Sequence, residues 1–261
     1  MNKVTIAICS AAIASVSTIL FGAAAQAQGV YFDVSTGEVS PTGETNQGAF
    51  SEFAEQDGFA TINFNDIDDP FRAIEYSSGD SIDGFATYSF SDENGSSQVV
   101  PITSGQIKWA PDGANNEVNE TPYLQVFSDS AVTIELAETL NYFGANWGSA
   151  SPGNIFSFFD NEELVGSFNV DDIAAEGFAF TGTQSGQGTG YVDFRSSSED
   201  DNFNRIVISQ IGGGGFETDN HTFRVGTGAF SPDGPQDVPE PGALVGLGML
   251  GLLGSRKMIK K

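Results

Sequence analysis

Short runs of Phe, Tyr, Val, Ile and Thr alternate with polar residues along most of the chain, and this pattern constrains the fold more than any other feature. Successive side chains of a β-strand point to opposite faces of the sheet, so a run with period two fits a half-buried strand. Gly, Asp, Asn or Pro bound many of the runs, as expected for turns between antiparallel strands. The runs are 59–64, 85–90, 98–102, 123–127, 131–136, 140–147, 154–159, 164–168, 190–195, 203–211 and 222–225.

About eleven such strands predict an all-β fold, a single antiparallel β-sandwich of jelly-roll type. We place this domain at residues 58–226; two smaller domains are the less favoured alternative. Residues 28–57 form an irregular leader, with one edge strand predicted at 30–34. Residues 227–238 are rich in Gly, Pro and Ser and fit a linker. The glycines of 181–190 indicate a flexible loop or a hairpin tip.

The amino-terminal 27 residues have the three parts of a secretory signal peptide. Lys3 provides a basic start, residues 4–21 are mainly apolar, and Ala25 and Ala27 place small side chains where signal peptidase reads them. We therefore expect export, with cleavage after Ala27. A membrane-anchored amino terminus is the alternative, and the Ser and Thr residues that interrupt the apolar stretch disfavour it.

The carboxyl-terminal residues 239–261 combine three features in a fixed order. Pro239, Glu240 and Pro241 come first, an apolar, glycine-rich run follows at 242–254, and residues 255–261 are mostly basic. This order resembles the PEP-CTERM sorting signal of Gram-negative bacteria, including cyanobacteria, which the membrane protease exosortase recognises and removes. The apolar run is shorter than the ~20 residues that a stable spanning helix needs. It predicts a short sorting helix that anchors the chain only transiently, with a permanent tail anchor as the alternative.

A second resemblance covers about residues 60–225. The run 140–148 contains Tyr-Phe-Gly followed by Trp-Gly and precedes two further aromatic runs. It is similar to the core of exosortase-dependent surface proteins common in cyanobacteria, which implies a surface location and a β-sandwich, and no known reaction. The other matching runs are 154–159, 164–168, 191–194, 203–211 and 216–220.

Composition excludes several function classes. A net charge of −25 would repel nucleic acid and anionic lipid, so we expect no nucleic-acid partner and membrane contact only through the sorting segment. One Cys, at position 9 within the signal peptide, and one His, His221, leave no basis for zinc-finger, iron–sulfur or disulfide frameworks. No motif implies a cofactor. The run 217–222 approaches the Glu-x-Asp-x-x-Glu spacing of one glycosidase family, but its last position is Thr222, and we therefore do not expect an enzyme.

Acidic residues gather in several predicted loops, which raises the possibility of calcium. This ion binds six to eight oxygens, usually from carboxylates and carbonyls of adjacent loops. The most plausible set joins residues near the first and last strands. Solubility conferred by diffuse acidity explains the same residues and stays the competing interpretation. The candidate ligands are Asp66, Asp68, Glu217, Asp219 and Asn220.

Two aromatic residues are candidates for a sugar-binding platform, because sugar rings stack on exposed aromatic side chains. Trp109 stands beside Pro111 at a predicted strand end, and Tyr123 begins a predicted strand. Trp147 lies within a strongly apolar run and is expected in the core. Both platform candidates have the alternative of simple core packing.

These observations predict an exported, exosortase-processed protein of the cell surface or extracellular matrix that acts as a structural or binding module. Signal peptidase and exosortase are its expected processing partners. A calcium-assisted carbohydrate-binding module, with extracellular polysaccharide as its partner, is the main alternative. A secreted glycan-active enzyme is the second alternative, and a self-assembling coat is equally consistent with the composition.

Overall fold

A computed structural model of the chain describes residues 29–65, 74–78, 82–91, 98–100, 109–176, 179–180, 182–184 and 187–232. Both predicted sorting segments lie outside the described residues, and so do two of the candidate calcium ligands. Within the described ranges, no helix has the length and apolar character needed to cross a membrane. The candidate residues that lie outside are Ala25, Ala27, Pro239, Glu240, Pro241, Asp66 and Asp68.

The regular secondary structure of the described residues is almost entirely β-strand, and every strand pair is antiparallel, which confirms the predicted all-β class. One six-residue helix, α1 (Val170–Ala175), is capped by Asn169, whose side chain accepts from two backbone amides of the first turn. The strands are β1 (Val30–Ser35), β2 (Phe59–Ile62), β3 (Ile74–Ser78), β4 (Ile82–Ser91), β5 (Gln98–Val100), β6 (Tyr123–Phe127), β7 (Ser130–Ala150), β8 (Asn154–Asp160), β9 (Glu163–Asn169), β10 (Gly182–Gln184), β11 (Gln187–Ser196), β12 (Phe203–Gln210) and β13 (Gly215–Val225).

Strand β7 organises the molecule because its two halves pair with different neighbours. Its first half lies between β4 and β12, and the layer continues through β8 to β9. Its second half lies between β11 and β13, with β1 beside β11 and with β2 and β6 beside β13. The two predicted runs 131–136 and 140–147 are therefore one continuous strand that takes part in both layers of the sandwich.

Aromatic rings fill the space between the two layers. Phe158 of β8 lies 4.7 Å from Phe194 of β11, and Phe156 lies 4.9 Å from Phe216 of β13, measured between ring centroids. Trp147 is fully buried and packs edge-on against Phe156, which confirms its expected place in the core. Each such ring contributes roughly 1.5–3 kcal/mol by leaving water, so this cluster is the main source of stability.

The outer face of the second layer is buried as well. All nine residues from Phe216 to Arg224 in β13 are buried, although β-strands that face solvent alternate between buried and exposed. The irregular part of the leader covers this face: the Ser51 hydroxyl hydrogen-bonds the Tyr142 hydroxyl at 2.7 Å, and Phe53 packs against Phe230. The predicted edge strand of the leader exists as β1. The leader and the sheet enclose an aromatic cluster of Phe53, Tyr142 and Phe230, and the polar side chains of Asp219 and Asn220 are buried on the same strand.

Candidate functional site

A cleft of about 620 Å³ opens where the beginning of β13 meets β6 and the end of β7. The fold brings five separate parts of the chain to this place. Gly213 and Gly214, which precede β13, leave one side of the cleft free of side chains. The lining residues are Trp109, Gln125, Phe127, Ser149, Ser151, Gln187, Gly213, Gly214, Gly215 and Glu217.

The polar wall of the cleft is formed by Glu217 and Gln125, which stand opposite each other on β13 and β6. The Gln125 amide donates to Glu217 Oε1 at 3.0 Å. Three polar atoms here are buried and have no hydrogen-bond partner in the protein: Glu217 Oε2, Gln125 Oε1 and Ser149 Oγ. A buried polar atom left in this state costs about 1–3 kcal/mol, so the wall is suited to a ligand that supplies hydrogen bonds.

Glu217 is only 3% exposed, and its environment changes its acidity. Burial raises the pKa of Glu217 to about 7, although the hydrogen bonds from Gln125 and from its own backbone N–H act in the opposite direction. Its carboxyl group can therefore accept or donate a hydrogen bond near neutral pH.

Trp109 forms the aromatic part of the lining and is partly exposed. It packs against Ala110 and Tyr123. Tyr123 is 1% exposed, and burial raises the pKa of its hydroxyl. Of the two predicted platform residues, Trp109 therefore reaches the cleft, whereas Tyr123 supports it from behind and offers no ring face to a sugar.

Asp219 and Asn220 lie beyond Glu217 on β13, away from the cleft lining. Asn220 has a left-handed backbone (φ 48°), and the pairing with β7 shifts register between Asp219 and Thr222, as in a β-bulge. Asp219 is completely buried. Its carboxylate accepts hydrogen bonds from the Asn119 amide at 2.7 Å, the Thr121 hydroxyl at 3.3 Å and the Asn220 backbone N–H at 2.7 Å. Burial raises the pKa of Asp219 to about 8, although these three hydrogen bonds lower it.

The predicted calcium ligands thus divide between two places. Glu217 lines the cleft, Asp219 and Asn220 lie under the loops, and Asp66 and Asp68 are outside the described residues. In the part of the chain that the structure describes, no three His, Cys, Asp or Glu side chains are grouped closely enough to hold a metal ion. Calcium binding by this set remains a prediction.

His221 lies in the aromatic core and not in the cleft. Its Nδ1 and the Tyr88 hydroxyl are 2.9 Å apart, and its Nε2 is 2.9 Å from the Thr218 hydroxyl. Burial lowers the pKa of His221 to about 3, so the ring is neutral. It therefore serves as a hydrogen-bonded core residue. The glycosidase-like run also does not place a pair of carboxylates in the cleft, since Glu217 is the single acidic residue of the described lining.

Sequence reasoning did not identify Gln125, Ser149 or Gln187 as site residues. An amide or hydroxyl side chain in an alternating strand carries no signal of its own, and the pairing of β6 with β13 is what sets Gln125 beside Glu217. Glycines 212–215 do carry a signal, because a run of four glycines where a strand begins indicates an open approach to it.

Comparisons with known proteins yield little that bears on this site. No protein-family model and no curated protein matches the chain. Among solved structures, it is similar to the catalytic domain of GH87 alpha-1,3-glucanase in complex with tetrasaccharides, with 12% sequence identity and a TM-score of 0.28. The match covers 72% of this chain and 29% of that chain.

Proposed function

We propose that this chain is an exported surface or extracellular-matrix protein whose β-sandwich binds a neutral polysaccharide in the cleft between Trp109 and Glu217. One observation carries the proposal: the cleft is lined by a partly exposed indole ring and by three side chains that each carry a buried polar atom without a hydrogen-bond partner in the protein. A sugar presents an apolar ring face together with hydroxyl groups that donate and accept hydrogen bonds. This combination matches the two walls of the cleft.

The charge of the lining favours a neutral sugar. Neither Lys nor Arg is among the described lining residues, and the one ionisable group is the Glu217 carboxyl. An anionic polysaccharide would meet this group and the negative charge of the whole chain, without a cation in the described lining to compensate. Neutral hydroxyls can instead donate to Glu217 Oε2 and Gln125 Oε1.

The cleft supports binding rather than hydrolysis. Hydrolysis of glycosidic bonds ordinarily requires two carboxyl groups on either side of the bond, and the described lining provides Glu217 alone. The volume of about 620 Å³ falls within the range of sites for small ligands, which corresponds here to a short stretch of a glycan chain.

Export is the second part of the proposal, and it depends on the two ends of the sequence. Residues 1–27 direct secretion, with Ala25 and Ala27 read by signal peptidase, and Pro239, Glu240 and Pro241 mark the segment for exosortase. The folded domain then acts outside the cell, where extracellular polysaccharide is available.

The test is affinity electrophoresis of the full chain in gels that contain the producing organism's own extracellular polysaccharide, separated into neutral and anionic fractions. We expect retention by the neutral fraction, and a loss of affinity of about tenfold or more in Trp109→Ala and in Glu217→Ala, because the first removes the aromatic wall of the cleft and the second removes the carboxyl group of the polar wall. Tyr31→Ala is the matched control, since Tyr31 is an aromatic residue of β1 that is 44% exposed. Retention by the anionic fraction alone, or unchanged retention of Trp109→Ala, would refute the proposal.

A further inference from the structure

The cleft opens to solvent, but the polar atoms of its wall are covered. Gln187 of the lining is exposed and Trp109 is partly exposed, whereas Glu217, Gln125 and Ser149 are only 3%, 3% and 4% exposed. The unpartnered atoms of these three side chains are buried as well. A sugar hydroxyl can therefore reach them only after a neighbouring part of the chain moves.

The backbone of residues 212–215, which we call the glycine loop, lies against this polar wall. A Cβ atom on Gly215 would stand 2.3 Å from Glu217 Oε1 and 3.3 Å from Gln125 Nε2. The carboxyl and amide groups thus pack directly on the Gly215 backbone, and a larger residue there would displace the carboxyl group. The glycine loop therefore occupies space beside both groups that solvent or a ligand would otherwise fill.

The tip of the glycine loop, residues 212–214, has few neighbours. No atom lies within 4 Å of a Cβ built on either of the first two glycines, and the third meets only Gln210 Nε2, at 3.7 Å. Side chains supply the hydrogen bonds that hold the tip. The Gly212 amide donates to Asp129 at 3.1 Å, and the next two carbonyl groups accept from Gln210 and Ser128 at 3.3 and 3.4 Å. These contacts are long and easily exchanged for water.

Both ends of the loop are fixed to the sheet. The Ile211 amide donates to the Gly153 carbonyl at 2.9 Å, and the Gly215 carbonyl accepts from Asn154 Nδ2 at 3.0 Å. Gly215 also pairs with Phe127 of β6. A loosely held tip between two fixed ends can move as a short flap, because a few terminal residues absorb the change in backbone angles.

We propose that the glycine loop is a gate, which closes over Glu217 and Gln125 in the free protein and moves away when a neutral polysaccharide enters the cleft. This inference rests on the proposed polysaccharide binding and concerns the regulation of that site. Opening exposes the unpartnered polar atoms, and hydrogen bonds to sugar hydroxyls then stabilise the open state. The closed state keeps the wall away from solvent when no sugar is present.

The backbone angles of the loop make the gate testable. Gly212 has a φ of +79° and Gly214 a φ of +114°, which glycine adopts freely and other residues adopt only with strain. An alanine at position 212 would strain the closed loop, whereas an open loop can leave the left-handed region. Gly212→Ala therefore shifts the loop towards the open state. A gate predicts tighter binding in this variant, and a merely structural loop does not.

The first experiment is affinity electrophoresis of the full chain in the neutral polysaccharide fraction. We expect Gly212→Ala to bind about fivefold more tightly than the wild type, because the strain of a left-handed alanine favours opening by about this factor or more. Gly43→Ala is the matched control. Gly43 has a φ of +75°, lies outside the cleft lining, and likewise has no atom within 4 Å of a built Cβ. Equal affinity of Gly212→Ala and the wild type would overturn the gate and leave polysaccharide binding intact.

The second experiment needs no sugar. Carboxyl ¹³C NMR titration of the full chain follows Glu217, and Glu217→Gln identifies its signal. We expect the pKa of Glu217 to be lower in Gly212→Ala than in the wild type and in Gly43→Ala, because water reaches the carboxylate when the loop opens. A lowered pKa without retention of the wild type by polysaccharide would support the gate and refute the proposed ligand. An unchanged pKa would overturn the gate, whatever the sugar experiment gives.

Discussion

Asp193 on β11 is a single residue whose ionisation connects the leader to the sheet. The Tyr142 hydroxyl donates a short hydrogen bond to it, and Tyr142 also bonds Ser51 of the leader. Burial raises the pKa of Asp193 to about 6, with Glu52 and Asp33 acting in the same direction. The Tyr142 hydrogen bond and the Arg195 guanidinium, 3.5 Å away, lower the pKa without offsetting burial.

This shift predicts how stability changes with pH. The folded pKa of about 6 lies above the ordinary pKa of an aspartate, 3.8, so the folded state holds the proton more tightly. Protonated Asp193 therefore contributes fully to the stability of the folded state below about pH 4. About 3 kcal/mol of this stability is lost as the pH rises through 6. Urea unfolding from pH 4 to pH 7 should therefore show a smaller decrease in Asp193→Asn than in the wild type. Asp200→Asn, at an exposed site, is the control, and parallel curves for Asp193→Asn and the wild type would contradict the assignment.

At the scale of elements, β7 depends on close packing where its second half crosses between β11 and β13. Gly144 stands opposite Asp193 on one side and Thr222 on the other. The Tyr142 and Tyr191 rings beside it are fully buried. Tyr191 is held by hydrogen bonds from its hydroxyl to the Asn220 carbonyl and the Thr222 hydroxyl, both at 3.0 Å. The side chains around this glycine thus have little freedom to move.

Gly144→Ala should therefore be strongly destabilising. The added Cβ would lie 2.6 Å from the Tyr142 hydroxyl and 2.7 Å from Tyr191 Cε1, closer than such atoms approach in packed proteins. We expect the free energy of unfolding to fall by about 1–3 kcal/mol, as for other overpacked positions. Gly213→Ala is the matched control, because no atom lies within 4 Å of a Cβ there. Equal stability of the two variants in urea unfolding would show that the tyrosines move aside freely.

At the scale of the whole molecule, the predicted route to the cell surface is separate from the folded domain. The predicted sorting motif follows the predicted linker, so changing the motif should alter processing and leave the sandwich intact. We expect the triple variant of Pro239, Glu240 and Pro241, each to Ala, to keep its carboxyl-terminal segment and to accumulate in the membrane fraction. Immunoblots of cell fractions and of the medium measure this. Replacing Pro232 and Pro235 of the linker by Ala controls for proline content, and normal processing of the triple variant would rule out this motif.

Several elements could be predicted from the sequence because their signal is local. The run 123–127 coincides with β6, and the run 203–211 differs from β12 by one residue. The beginning of β13 was not predicted, because residues 215–221 include Glu217, Asp219 and His221, which resemble a polar loop until neighbours cover them. Strand β10 was not predicted either, since Gly182–Gln184 carries no apolar residue. Its pairing with β11 agrees with the hairpin tip expected at 181–190.

The sequence by itself determined the all-β class, the core position of Trp147 and the presence of aromatic and acidic candidates, because alternation and composition act over a few neighbouring residues. Only the tertiary structure decided which candidate residues lie close together. It placed Trp109 and Glu217 in one cleft, buried Tyr123, and brought Asn146 and Asn220 to Gly48. These contacts follow from strand register, from the passage of β7 between the two layers and from the folding of the leader over β13. Each of these features depends on pairing between segments that are far apart in the chain.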